Sequence, residues 1–568
     1  MNAVAAVVAF ALLLVSWFAR PAFLPAPLWL APAAGLLAGN LWRRQGWRLP
    51  RPATETWLCV ALALVYRLPA LVHPWGWVNK DGAYGAFVTL HLLQGVSPAP
   101  VFTEGANYQG TLKPHLAALL GLVTRVRDLS WLMTAASVLL SLVFLVATMA
   151  LARRIGGRAA ATATGLYLAF GPKFLTTFSL NCVGQYVDVL ALGGLALALL
   201  ARVLEDDASG ASARGAYLAI GVLLGAAFWQ QPVALSYAGV TMLALALRRS
   251  TWKDPWALLV PLGFALGALP VLLWNLQNGW GSGEIMGRGA SDLGAQADAL
   301  GRVARKTLGI AFPILAGLSP GHPWQDVPLV PTLAAVFLPA LLLAFVAIRF
   351  ASLRESVTRL RPRSDLLPVA LMLGCVALAW AVAAGKVYAR PRYLLPVMGA
   401  AAVFFGTVVA WLWARMRVAG ALLAAVALGF NTVGMLPRLL ESAAIARWYE
   451  GLVRAVEEKG IRTGYADFSI AAPVTMFTRE RVLLSSALGP TPAYESDEHA
   501  SRVAREGPDA FVLRPQDDPE PLASWLTANG VGFRLEREPV PIVYGLTRRV
   551  PVEEVRGLVR GASAPPEE

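Results

Sequence analysis

Asp81 stands just past an apolar span, in the run Asn79-Lys80-Asp81-Gly82-Ala83-Tyr84, in a part of the chain where acids are scarce. A carboxylate held where a wet cavity meets a bilayer is a candidate general base. The same residue has the type and place of an N-cap for a helix from Gly82 to about Gln94, and both readings stay open. The run Lys386-Val387-Tyr388-Ala389-Arg390-Pro391-Arg392-Tyr393 gathers three cations at the head of another apolar span. Guanidinium forks match phosphate oxygens, so Lys386, Arg390 and Arg392, with Lys113, are candidate ligands of a lipid phosphate. General attraction to anionic headgroups would leave the same pattern. Gln185 and Asp188 open a further span, and Trp229 and Asn275 sit at two other helix ends. With Tyr84, Tyr108 and Tyr393 they form a candidate cavity lining, although Asp188 also reads as a helix cap and a lone Trp as an interface anchor. If Asp81 is only a cap, the catalytic role passes to Asp188 or Glu104.

The elements that must position these groups are apolar helices. Hydrophobic residues make up 57% of the 568-residue chain and charged residues 15%, with mean hydropathy +0.56. Stretches long enough to cross a bilayer recur at 2–19, 22–41, 53–73, 129–150, 159–179, 187–204, 215–230, 232–247, 255–275, 327–350, 365–384, 394–414 and 418–436. The run 307–323 carries Pro313 and Pro320 and reads as a re-entrant or interfacial segment. Between the third and fourth spans, 74–128 is too long for a turn. It predicts two interfacial helices, over 82–95 and 116–124, joined by a polar elbow.

Charge orients the bundle. Up to Pro437 the chain has 33 Lys and Arg against 15 Asp and Glu, whereas from Arg438 on it has 16 against 20. The net charge of +14 is therefore concentrated in the membrane part, in short Arg-rich connections such as Arg153-Arg154, Arg248-Arg249 and Arg359–Arg363. The positive-inside rule places these in the cytoplasm, and Asp81, the Lys386–Arg392 turn and the tail outside. The charge is topological and gives no reason to invoke nucleic acid. Cys59, Cys182 and Cys375 lie in or beside apolar spans and suit neither a disulfide framework nor a zinc site. The five histidines show no metal-ligand spacing, and no Walker-type phosphate loop appears.

The organisation predicted is an additional N-terminal hairpin at 1–42, a transmembrane module at 43–437 and an α/β domain at 438–568. In the tail, β-like runs at 462–465, 481–485, 509–514, 532–536 and 541–547 alternate with helical runs at 444–459, 497–505 and 519–528. The fold class expected is thus a polytopic α-helical membrane protein of about 13 spans with an extracytoplasmic α/β domain. Gly561–Glu568 is expected to be disordered.

A resemblance rests on the order of several short motifs. These are a span ending Arg67-Leu68, then Asp81-Gly82-Ala83-Tyr84, Leu92-Leu93-Gln94-Gly95, Tyr108-Gln109-Gly110-Thr111-Leu112, Trp229-Gln230-Gln231-Pro232, Pro270 to Asn275, and Arg392-Tyr393-Leu394-Leu395-Pro396. In that order the chain resembles bacterial membrane glycosyltransferases of the GT-C superfamily, of the family 39, dolichyl-phosphate-mannose-protein mannosyltransferase-like kind. The tail run Thr463–Ala471 is similar to the outer domain of that group. The resemblance implies transfer of a sugar from a polyprenyl-phosphate donor to a hydroxyl of a glycan, lipid or protein acceptor. It would take place at the outer face of the bacterial cytoplasmic membrane, with Asp81 as base. Gly82 stands where many relatives have Glu, and Lys113-Pro114-His115 where many have a His-Pro-Pro turn. These departures leave the acceptor class open. They leave open the dependence on a divalent metal as well, and no other cofactor is implied. The rival classes are a transporter or flippase of lipid-linked saccharides and a non-catalytic membrane scaffold. A transporter would be marked by repeated span pairs with midplane charges, which the sequence lacks.

Overall fold

The computed structural model describes residues 53–96, 100–205, 213–283, 301–385, 390–488 and 497–558. The expected spans at 2–19 and 22–41, Lys386 and the last residues lie outside the described residues. Helix α1 spans Thr54–Val72, α2 Lys80–Gln94, α3 Leu112–Thr124 and α4 Leu129–Ala169. Then follow α5 Tyr186–Glu205, α6 Arg214–Gln230, α7 Leu235–Leu247, α8 Leu259–Gly267 and α9 Leu269–Gln277. The bundle closes with α10 Val330–Thr358, α11 Leu366–Gly385, α12 Val397–Arg415 and α13 Arg417–Glu458.

Among the described residues, six helices are long and apolar enough to cross a membrane, or seven if the α8–α9 region, bent by 56°, is one span. The eleven expected over the described residues differ for physical reasons. The spans at 129–150 and 159–179 form one element, α4, broken at Gly157, where φ is 76° and ψ −165°. A side chain would be strained at that turn, which lets the chain reverse at the Arg-rich end. Helix α6 has only 17 residues, and α7 is preceded by a short helical turn at Pro232–Ala234. The interfacial helices are observed as α2 and α3. The 307–323 run forms a turn of π-helix over Thr307–Ala311 and a short helix over Phe312–Leu315.

Helix α4 packs against α1, α5 and α12 at the centre of the bundle, where Phe144, Tyr167, Leu197, Phe404 and Phe405 are buried. Outward positions such as Leu343, Val418 and Val426 remain more than two-thirds exposed. Large apolar side chains in that number on a surface mark contact with lipid.

Helix α13 crosses the expected boundary at 437/438 without a break and has 42 residues, with Pro437 inside it. At 1.5 Å per residue it is about 63 Å long, roughly twice a bilayer core. Its last turns enter the tail, where Leu452 and Val456 are buried against Ile470, Val474 and Val512. The tail sheet comprises β1 Thr463–Ala466, β2 Leu483–Ser485, β3 Ala510–Val512, β4 Arg534–Glu536 and β5 Ile542–Tyr544. Its order is β2-β1-β3-β5-β4, parallel over the first three strands and antiparallel at β5 and β4. Neighbouring residues face opposite sides. Tyr465, Phe511 and Val543 pack with α15 (Asp497–Glu506) and α16 (Glu520–Ala528), whereas Ala466, Val512 and Ile542 face α13 and α14 (Phe468–Phe477).

Candidate active site

The chain leaves α1 through a turn at Pro74–Trp77 that is locked under α13. A β-carbon at Gly76 would collide with the Ser442 carbonyl, the Arg438 guanidinium donates to the Gly76 carbonyl, and it lies 4.3 Å over the Trp77 ring. Asn79 then caps α2, its side-chain oxygen accepting from the Asp81 amide at 2.7 Å. Asp81 therefore sits in the first helical turn and is not the cap. Its carboxylate is left without a hydrogen bond or ion pair among the described residues. Helix α2 is held from behind by α14 of the tail, with Tyr84 5.9 Å from the Phe468 ring and Ala83, Phe87 and Leu90 buried in the same cluster as Ala472 and Met476.

The second wall is the loop 100–111. Phe102 bridges to Gly110, and the Thr103 amide donates to the Gln109 carbonyl, so the residues between form a tight bow. The end of α6 clamps the bow in place. The Trp229 indole N–H donates to the Val101 carbonyl at 2.9 Å, and the Gln230 side chain accepts from the Leu112 amide at 3.0 Å. Gly110 is needed there, because a β-carbon would lie 2.7 Å from both the Gln230 side chain and the Trp229 carbonyl oxygen. The third wall is the turn from Arg390, where the Tyr393 amide donates to the Arg390 carbonyl and Arg392 points inward.

These walls enclose a small polar cavity lined by Asp81, Tyr84, Glu104, Tyr108, Gln109 and Arg392. Four expected site residues, Asp81, Tyr84, Tyr108 and Arg392, thus meet in space. Arg392 interacts with Tyr186, Tyr393 and Tyr108, its Nε buried without a hydrogen-bond partner. Glu104 also keeps one buried oxygen, Oε2, without a partner. Glu104 is the only acid between Asp81 and Asp128, a sequence signal that could have raised its rank. Gln109 and Thr103 carried no such signal.

The other expected residues lie elsewhere. Lys113 and Asp188 are fully buried and ion-paired, Nζ to Oδ2 at 3.4 Å, and Lys113 also donates to the Gly184 carbonyl at 2.9 Å. Gln185 is buried beside them. Trp229 serves the loop clamp just described. Asn275 is buried and binds locally, donating to Val271 and accepting from the Ser282 amide and hydroxyl. Arg390 is exposed, and the Tyr393 ring lies 5.7 Å from the Arg392 guanidinium carbon.

The described residues include no group of three or more His, Cys, Asp or Glu placed to hold a metal ion. Asp81 and Glu104 are the two carboxylates of the cavity, so a divalent ion there would have to complete its shell with water and substrate oxygens.

No protein-family model and no curated protein sequence matches this chain. Solved structures do. ArnT from Cupriavidus metallidurans in the apo state aligns with a TM-score of 0.53 at 14% identity, over 84% of this chain and 97% of that one. The same protein bound to undecaprenyl phosphate aligns at 0.50 and 14% identity, over 86% and 98%. The Archaeoglobus fulgidus oligosaccharyltransferase in complex with zinc and sulfate aligns at 0.50 and 12% identity, over 87% and 73%. At such identities the likeness shows the fold alone: this chain shares the architecture of ArnT and of the archaeal oligosaccharyltransferase.

Proposed function

We propose that the protein transfers a sugar from a polyprenyl-phosphate donor to a hydroxyl acceptor, with the transfer centred on Asp81. One observation carries the reading: a carboxylate relieved of capping duty by Asn79 and a half-buried arginine line the same polar cavity. A solved structure of the same fold, from Cupriavidus metallidurans, holds undecaprenyl phosphate.

The chemistry needs only a few parts. The acceptor O–H loses its proton to the Asp81 carboxylate as its oxygen attacks the anomeric carbon. The bond from that carbon to the phosphate oxygen breaks, and the electron pair leaves on polyprenyl phosphate. Arg392 stabilises the charge that develops there. The leaving group is a stable phosphate, so no acid is required to protonate it. One carboxylate and one displacement invert the sugar configuration, whereas glycoside hydrolysis commonly uses two carboxylates. Glu104 stands in the same cavity as a second acceptor of hydrogen bonds from sugar hydroxyls.

The location follows from the same reading. The site and the tail share one end of the bundle, joined through α2 and α14, and the Arg-rich turns lie at the other. We place the site and tail on the outer face of the bacterial cytoplasmic membrane.

The test is sugar transfer by purified protein from radiolabelled polyprenyl-phosphate hexoses and pentoses to lipid, glycan and peptide acceptors. Transfer by the parent protein and its loss in Asp81→Asn are expected. An Asp81→Asn protein that retains activity within a few-fold overturns the role of Asp81. Absence of transfer from every donor overturns the reaction class.

A further inference from the structure

At the end of the bundle opposite Asp81, a concave pocket of about 1070 Å³ opens among the break in α4, the ends of α5, α7 and α10 and the turn leading to α11. Its walls carry seven arginines and three acids, an excess of four positive charges. Helix α1 measures the distance between the two sites. Its first turn carries Glu55, bound by Arg153 next to the pocket residue Arg154, and it ends next to the turn that precedes Asp81. Its 19 residues span about 28 Å, so the pocket lies at the other membrane face and is separate from the candidate active site.

The pocket is built, not merely basic. The turn after α10 is fixed by Leu360 at φ 49°, by the Arg363 amide donating to the Ser356 hydroxyl at 3.2 Å, and by Pro362. It sets Arg359, Arg361 and Arg363 at alternate positions around a floor of buried Ser364 and Asp365. The acids account for part of the charge. Glu355 pairs with Arg359 at 2.9 Å and lies 3.6 Å from Arg363, Asp365 pairs with Arg349 at 3.3 Å, and Glu205 pairs with Arg154 at 3.4 Å. Arg249 and Arg361 line the pocket with no hydrogen bond or ion pair among the described residues. Positive-inside sorting explains why arginines stand at this end, but a flat solvated surface would satisfy it equally. It does not explain their convergence on one concavity.

We infer that the pocket binds the phosphate oxyanions of an anionic phospholipid headgroup, and that a headgroup with two phosphates suits it best. Arginine presents paired donors that match phosphate oxygens, and basic pockets between helices at the cytoplasmic face are the sites where such headgroups lodge. A single phosphodiester would leave most of the excess charge uncompensated. The lipid source is favoured over a soluble phosphate by the rim. Phe350 and Val357, on α10 beside Arg349 and Thr358, are 60% and 55% exposed, and Trp252, just after Arg249, is 74% exposed. Acyl chains can lie on these side chains while the headgroup enters the pocket.

The test compares fluorescent cardiolipin with fluorescent phosphatidylcholine binding to the full-length protein in detergent. Arg249→Gln/Arg361→Gln is the decisive variant, because neither residue leaves an acid unpaired when its charge is removed. Its cardiolipin preference is expected to fall about tenfold or more, with the folded state verified by a thermal melt. Arg361→Gln alone, expected to lose about threefold, serves if the double variant does not fold. Arg415→Gln/Arg417→Gln removes two exposed charges outside the pocket and is expected to change nothing. An unchanged preference in the pocket variants, or an equal fall in the Arg415/Arg417 variant, overturns the site. Inorganic pyrophosphate is the second probe. Little displacement of cardiolipin at millimolar concentration supports the lipid, and full displacement overturns it in favour of a soluble phosphate.

Discussion

Asp81 and Asp188 both lie in the first turn of a helix close to the same end of the bundle. Their surroundings are opposite. Asp188 is fully buried with the Lys113 ammonium 3.4 Å away. Asp81 is half-buried, faces a polar cavity shared with Arg392, and has its helix capped for it by Asn79. A carboxylate shut away from water and closed in an ion pair has no face left for a substrate hydroxyl. A base must keep its lone pair for substrate. The comparison therefore gives the Asp188 region the work of tying α3 to α5, and leaves the Asp81 region for chemistry.

The largest effect that would sharpen this contrast is on stability. Lys113→Met strands the Asp188 charge and is expected to cost about 3–5 kcal/mol. Lys113→Met with Asp188→Leu should recover most of that loss, because two apolar groups replace a closed pair. Unfolding of the purified variants in detergent measures both. If Lys113→Met keeps its stability and loses donor binding instead, the contrast breaks and Lys113 becomes a substrate ligand.

Asp81→Asn should do the reverse, with transfer falling about a hundredfold or more and stability changing by less than about 0.5 kcal/mol. Asn79→Ala sharpens the point, because the cap resides there and its loss should cost about 1 kcal/mol. Equal destabilisation by Asp81→Asn and Asn79→Ala would return Asp81 to the role of a helix cap.

The sequence makes the helices legible and leaves the partnerships hidden. Apolar length locates α1, α5 and α12 to within a few residues, because burial against neighbours and lipid both demand it. Short β-like runs set between helical runs locate all five tail strands, most of which are buried along their length. The break at 437/438 is a different matter. Charge composition changes there because the surroundings of the chain change, while α13 runs on as one helix. In the site, Asp81, Tyr84, Tyr108 and Arg392 could be named one by one from residue type and position. Arg392 enters the cavity while Arg390 stays outside because Arg390 is extended and Arg392 lies within the helical turn that follows it, and no local pattern encodes that. The Lys113–Asp188 pair joins residues 75 positions apart, and the capping role of Asn79 is hidden by an equally good capping residue two places on.

The Arg392 and Arg390 contrast sets the third test. Arg392→Ala should weaken donor binding by about 1.5–3 kcal/mol, the loss expected for a charge-assisted contact to phosphate. Arg390→Ala, removing an exposed side chain, should cost no more than about 1 kcal/mol. Titration with a non-transferable polyprenyl phosphate separates them. Equal losses would mean that the turn acts as a diffuse positive surface.

The smallest effect concerns the support behind Asp81. Glu480, in the tail, accepts from His91 of α2 and from His499 of α15, each at 3.0 Å. Burial alone would raise the Glu480 carboxyl, but the hydrogen bonds and charges of the two histidines pull it down to about 2. His91 is raised above its usual 6.5, first by that hydrogen bond, against some desolvation, and further by the charges of Glu480, Glu104 and Glu498. The signs differ. The Glu480 contribution is present above about 4.5, its value when unpaired, and is lost as pH falls through about 2. The His91 contribution is present below 6.5 and is lost as pH rises through its raised value. The junction between α2 and the tail should therefore be tightest between about pH 4.5 and 6.5. Amide exchange across α2, corrected for its intrinsic pH dependence, should be slowest in that window and faster at pH 8, by about 1 kcal/mol or less of opening free energy. His91→Gln should remove the alkaline change and leave the acid one. If the variant keeps the parent's alkaline change, α2 is held by Tyr84, Phe87 and Phe468 packing alone, and the pH dependence of transfer would then belong to the cavity groups themselves.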